Sequence, residues 1–390
     1  MNYRILNIDI NFEKRNEQKA ITSILVTLFA IFCSLIFAAI IIYFSGAAPL
    51  NTMLAMFEGA FGNFSQWKDL DFYNLSEVIV KTVPLTICAL GISVAYKMRF
   101  WNIGAEGQFV AGALASSLIA LQFDSTLGKI PLLTLMFVAS FAFGAIVGFI
   151  PAILKIFRGV NEVVVSLMLN YIVILFTEYL AFGPLRDPKG FGFPGTREFA
   201  ENSFLPTFGT TRMDYGIFIM ILLAIILWIV FKYSKWGYEL KILGENPRAG
   251  FCSGMNVSKN ILWAMIISGG ISALAGFTEI AGSSHRLQKG LAVGNGYSAI
   301  IVAWISRLNP FKILLWSFLF SVIIVGGDQL QITSKLPKAI ALVIQGAILL
   351  FILAGDFFVT YKVRLNFLKL GSNLGANLKS NLGSKLGGVE

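Results

Sequence analysis

Apolar runs of about 20 residues, broken by short charged clusters, decide what this chain of 390 residues can become. Within a hydrocarbon layer of roughly 30 Å a backbone satisfies its N–H and C=O groups only as a helix or a closed barrel, and runs this long suit the helix. They fall at about 21–44, 77–96, 104–121, 132–154, 162–182, 215–231, 261–281, 297–306, 313–328 and 339–357. The pattern predicts an all-α polytopic membrane protein with about ten transmembrane helices. The eighth run is short and the third starts at a Gly-rich polar turn, so both are candidates for broken or re-entrant helices. Charged residues make up 13% of the chain and hydrophobic ones 56%, whereas soluble domains carry roughly a quarter charged residues.

Basic residues set the expected orientation. With the N-terminus in the cytoplasm, Arg4, Lys14, Arg15, Lys19, Lys97, Arg99, Lys155, Arg158, the 232–259 cluster, Arg307, Lys312 and the tail all lie inside, the usual bias. The net charge of +10 is thus read as a report of topology, and nucleic acid is not an expected partner. Residues 1–20 are expected to be a cytoplasmic N-terminus, 21–358 a transmembrane domain in the cytoplasmic (inner) membrane, and 359–390 a cytoplasmic tail. The opening residues are polar and the run after them is longer than a signal-peptide core, so it reads as the first span. Residues 183–214, with Pro184, Pro188, Pro194 and Pro206, form an external loop. Residues 232–260 form an internal segment, helix-capable but interrupted at Gly244, Pro247 and Gly254, where a soluble partner can dock. The tail repeats leucine every four residues from Leu370 to Leu386, which suits either a basic helix on membrane lipid or a disordered end.

No enzyme signature is present. Gly190, Gly192 and Gly195 match the dinucleotide-binding spacing, but in a Pro-containing loop with no strand before it and no helix after. A phosphate-cradling Gly-x4-Gly-Lys-Ser/Thr is absent. His285 is the only histidine and, beside Arg286, reads as a surface residue; Cys33, Cys88 and Cys252 are too scattered for a disulfide framework or zinc site. No cofactor is expected in this chain.

Polar residues at membrane depth are what remains, and each is expensive without a task. Trp101, Asn102, Gly104, Glu106, Gly107 and Gln108 open the third run. They read either as a substrate-orienting turn with an aromatic ring for stacking, or as a capped helix end buried against its neighbours. Glu162, Ser166 and Asn170 follow one helical face, and Asn170 either bonds a neighbouring helix or faces a cavity. Gln345, Glu279 and Asp328 pose the same question. Gly144 and Gly148 suit close helix packing. The Gly/Asn-bearing breaks at 97–107 and 283–296 are five spans apart, as an inverted repeat of two five-helix halves would place them.

The runs Asn102-Ile103-Gly104-Ala105-Glu106-Gly107-Gln108, Asn161-Glu162-Val163 with Leu167-Met168-Leu169-Asn170-Tyr171, and Gly244-Glu245-Asn246-Pro247 with Ala249 and Gly254 resemble permease subunits of bacterial ABC importers. The branch is that of simple-sugar and branched-chain amino acid permeases, specifically its nucleoside-uptake members, and the likeness runs from about Glu77 to Asp356. The resemblance implies a type II ABC importer-like permease, working as a homodimer or heterodimer. It also implies ABC ATPase subunits that carry ATP and Mg, and an extracytoplasmic substrate-binding lipoprotein. It implies a small-molecule substrate, a nucleoside, met by Trp101, Asn102, Glu106, Gln108, Asn170 and Tyr171. The ATPase-coupling segment would hold Lys241, Gly244, Glu245, Asn246, Pro247 and Arg248, with Phe251 and Cys252 departing from the family pattern. A permease for a simple sugar or other small metabolite is the alternative within the class, and an ion-coupled secondary transporter the alternative outside it.

Overall fold

The computed structural model describes residues 2–5, 8–14, 20–62, 72–190, 194–209, 211–292, 294–333 and 337–367. Thirteen α-helices are described: α1 (Ala20–Phe44), α2 (Pro49–Phe61), α3 (Tyr73–Lys97), α4 (Ala105–Phe123), α5 (Lys129–Arg158), α6 (Glu162–Phe182), α7 (Gly216–Tyr233), α8 (Lys235–Glu245), α9 (Pro247–Cys252), α10 (Val257–Thr278), α11 (Asn295–Ile305), α12 (Pro310–Thr333) and α13 (Lys338–Thr360). Every predicted apolar run lies on one of these helices, and fewer than ten of the helices are both long and apolar enough to cross. Among the described residues seven helices are long and apolar enough to cross, or eight if the bent pair Leu28–Phe44 and Pro49–Phe61 is one crossing. The third run is a 19-residue helix diluted by Glu106, Gln108, Ser116 and Ser117. At 11 residues α11 rises only about 16 Å, half a hydrocarbon layer. The leucine repeat of the tail and part of the Gly190–Gly195 stretch lie outside the described residues.

The chain divides into two compact units. One holds residues 1–40 and 346–390. It contains a small antiparallel sheet in the order β1 (Asn2–Ile5), β2 (Ile8–Lys14), β3 (Tyr361–Phe367), with Asn2 opposite Asn11 and Ile8 opposite Phe367. Phe37 and Phe351 pack at 5.6 Å between ring centroids. Ile8, Ile10 and Phe12 alternate with Asp9, Asn11 and Glu13 along β2, a period of two that suits a strand and that a search for long apolar runs passes over.

The other unit, residues 41–345, is organised around α3 and α10. The apolar window of α3 is 89% buried and that of the crossing containing α10 is 72% buried, against 17% for α6. These two therefore form the centre, while α5, α6 and α7 turn apolar side chains outward, as a protein solvated by hydrocarbon does. Glycine makes the centre possible. A Cβ on Gly144 would run into the Gly269 carbonyl, and one on Gly276 into the Phe109 backbone, so α10 meets α5 and α4 backbone to backbone. Ser140 adds a hydrogen bond from its hydroxyl to the Ala273 carbonyl at 2.8 Å. The central helices correspond in order: each precedes a non-helical break, at 98–104 and 285–294, that leads into a helix (α4, α11).

Candidate functional site: the paired helix breaks

After α3 the chain turns through Arg99, whose φ of 55° is left-handed, and runs unwound to Gly104. Asn102 is fully buried. Its amide nitrogen donates to Gln108 Oε1 and Ser268 Oγ, both at 2.9 Å, and its oxygen accepts from the Gly104 N–H at 3.0 Å and Gln108 Nε2 at 3.1 Å. All four of its bonding positions are occupied. Asn170 is also fully buried; it accepts from the Gly107 N–H at 2.8 Å and donates to the Ile103 carbonyl at 2.8 Å and to Tyr297 Oη at 3.3 Å. Glu106 is 1% exposed. Its two oxygens accept from the Gly294 N–H at 2.8 Å and the Gly296 N–H at 2.5 Å. The acid at the start of α4 therefore caps the start of α11, a partner for N–H groups that a helix cannot satisfy itself. The fit needs glycine, because a Cβ on Gly296 would meet the backbone of Ala105 and Glu106.

The two breaks thus meet in one buried polar knot joining α4, α6, α10 and α11. It unites Asn102, Glu106, Gln108 and Asn170 and leaves two predicted residues outside. Tyr171 is 59% exposed and turned away from Asn170 along α6, as successive helical residues must be. Trp101 lies at the rim, 40% exposed. It stacks on Trp304 of α11 at 5.4 Å with 23° between ring planes, and meets Tyr96 edge-on at 5.1 Å. Glu162 belongs elsewhere, paired with Lys155 at 2.9 Å. Ser268, Tyr297 and Trp304 escape the sequence reading: a serine among glycines, and aromatic residues in an apolar run, look like packing until the partner chain segment is known.

The predicted coupling segment is two short helices hinged at Asn246, whose side chain accepts from the Arg248 N–H at 3.1 Å and the Ala249 N–H at 3.2 Å. Lys241, Glu245, Pro247 and Arg248 are exposed. Gly244 is buried, and a Cβ there would strike the Lys97 carbonyl and Met98. Hence α8 rests on the turn that leads directly into Trp101 and Asn102.

At the opposite ends of these helices the described residues of the 183–214 loop are bonded to the segment after α10. Thr196 exchanges hydrogen bonds with Leu287, and the Phe199 N–H donates to the His285 carbonyl. Arg197 pairs with Asp124 at 2.8 Å and holds that carboxyl below its ordinary range. Asp214 accepts from the Gly216 N–H at 2.6 Å; burial, reinforced by the nearby Glu279 carboxylate, pushes it up to about 6. His285 is half-buried and stacked on Phe204 at 3.8 Å, which corrects its reading as a surface residue. Among the described residues no three His, Cys, Asp or Glu side chains gather as metal ligands would.

Residues 74–353 match the family described as branched-chain amino acid transport system / permease component, and the chain belongs to that family. It is 31% identical to the glucose ABC transporter permease protein of Haloferax volcanii over 77% of this chain and 81% of that one. It is 30% identical to the guanosine ABC transporter permease protein of Bacillus subtilis, over 86% and 94%. Likeness to the nucleoside ABC transporter permease protein of Lactococcus lactis is 27%, over 84% and 90%. The chain is therefore a multi-pass transmembrane permease subunit of an ABC importer for a small solute, with a transport role and no catalytic one. Family membership sets aside the ion-coupled secondary transporter. It also brings the partners typical of such importers: ATPase subunits, a second permease and a substrate-binding protein.

Proposed function

We propose that this permease imports nucleosides, alternating between outward- and inward-facing states as two partner ATPase subunits bind and hydrolyse ATP with Mg. The observation that carries the substrate class is the Trp101–Trp304 stack, exposed at the rim of the break. A nucleobase offers a flat π-face to such a shelf, whereas a sugar presents hydroxyl groups that need free polar partners. The guanosine and nucleoside permeases, with which likeness extends over 84–86% of this chain, support the same class. In this reading Trp101 and Trp304 touch the base and Tyr171 offers a second ring along the path. Asn102, Glu106, Gln108 and Asn170 act by fixing the two breaks. The two five-helix halves correspond as inverted repeats with α3 and α10 at equivalent places, giving about ten membrane-embedded segments.

Coupling runs through α8. Lys241, Glu245 and Arg248 project to the ATPase, Asn246 and Pro247 set the hinge, and Gly244 presses on the Lys97–Met98 turn. A shift of α8 would then move the break itself, a contiguous physical route between the two sites. The Lys-rich face is cytoplasmic, as are both termini, and the binding lipoprotein delivers substrate to the face bearing the Arg197–Asp124 pair. A simple-sugar substrate is the second reading, favoured by the glucose permease relative. The test is ATP-dependent uptake by the chain reconstituted with its neighbouring ATPase subunits, second permease and binding protein. Labelled nucleosides should accumulate and labelled glucose should not; the reverse result replaces the nucleoside by the sugar.

A further inference from the structure

A cavity of about 390 Å³, lined by Lys235, Trp236, Glu239, Lys259, Asn260 and Trp263, plays no part in the reading above. It sits where two crossings end: α7 stops at Tyr233, α8 departs at Lys235, and α10 begins at Val257. Lys259 and Trp263 are one turn apart on α10, about 6 Å along its axis. The cation therefore lies at the mouth and the indole one turn deeper along the crossing, where Trp263 is 48% exposed. From α8, Trp236 lines the same space. Glu239 is the cavity's one carboxylate, and it is engaged, accepting from Asn260 Nδ2 at 2.9 Å with Lys235 Nζ at 4.0 Å. Among the described residues Lys259 has no carboxylate partner.

We propose that this cavity binds the headgroup of an anionic phospholipid, with Lys259 and Lys235 on the headgroup and Trp236 and Trp263 against its glycerol and acyl-ester level. Charge and depth both argue for a lipid. Two lysines outweigh one already paired carboxylate, and the step from ammonium to indole follows the step from phosphate to ester in a leaflet, where tryptophan concentrates. A soluble subunit docking on α8 would reach the lysines but not an indole lying down the crossing helix. The assignment depends neither on which face is cytoplasmic nor on what is transported.

The test uses the full chain, alone and assembled with its ATPase subunits, in phosphatidylcholine nanodiscs carrying a small fraction of brominated phosphatidylglycerol or brominated phosphatidylcholine. Tryptophan quenching and lipid retained on purification are read together. Phosphatidylglycerol should be retained in preference, Lys235→Gln and Lys259→Gln should each weaken retention about fivefold, and Trp263→Phe should reduce the quenching. Equal retention of both lipids, or an undiminished preference in the double lysine variant, overturns the proposal. So does a preference that vanishes when the ATPase subunits assemble, since the cavity would then be a protein contact. Should a variant fail to fold, titration of the parent chain still decides. Saturable quenching by brominated phosphatidylglycerol supports the site, and quenching no greater than by its phosphatidylcholine counterpart contradicts it.

Discussion

The knot at the paired breaks and the α8–α9 segment are both polar, yet they use polarity in opposite ways. At the knot Asn102 fills all four of its bonding positions and Asn170 three inside the chain, and Glu106 caps another helix. In α8–α9, Lys241, Glu245 and Arg248 are exposed, and Asn246, also exposed, bonds its own local backbone. Burial makes the difference. A polar group in a dry interior must be paired within the fold, whereas one facing water can wait for a partner. The first region therefore acts on this chain's shape, and the second on another subunit.

Five substitutions probe that contrast. Glu106→Ala strands the buried Gly296 N–H and the partly buried Gly294 N–H, so it should lower stability by about 3 kcal/mol and abolish uptake; an unchanged unfolding midpoint would move Glu106 from scaffold to substrate contact. Asp214 comes next. Its carboxyl, pushed up to about 6, leaves the folded state holding more protons than the unfolded chain between roughly pH 4 and 6. Stability should fall as pH rises through that window and level off above it. In Asp214→Asn this slope, worth about 2–3 kcal/mol, should disappear from a series of melts across pH. Arg197→Ala should remove about 1 kcal/mol, since the arginine is half exposed and its pairing screened. That contribution holds above the ordinary carboxylate range and fades as pH falls through the lowered value of Asp124. Smallest in stability, within about 0.5 kcal/mol, should be Glu245→Ala and Arg248→Ala, which should nonetheless leave ATP hydrolysis running without transport. Destabilisation matching that of Glu106→Ala would erase the contrast.

Hydrophobic run length made the helices legible in the sequence, because a membrane crossing is a local property of about 20 consecutive residues. Helix α2 escaped because Asn51, Thr52 and Glu58 dilute it, whereas the shortness of α11 was already legible in its run at 297–306. The polar clusters at Trp101–Gln108 and Asn170 were visible for the same local reason: they interrupt apolar sequence. Their partners were not. Nothing in Ser268 or Tyr297 alone says that they close on Asn102 and Asn170 across 166 and 127 residues, nor that Glu106 reaches Gly294 across 188. The paired breaks could be matched by composition, but their meeting in space is long-range packing.

Amide hydrogen exchange at Gly294 to Tyr297 tests the central claim most directly, measured in the parent chain and in Glu106→Ala within the assembled importer. If Glu106 holds the second break as its cap, those amides lose their protection in the variant as uptake is lost. Full protection alongside lost uptake would contradict the account and place the carboxylate on the substrate.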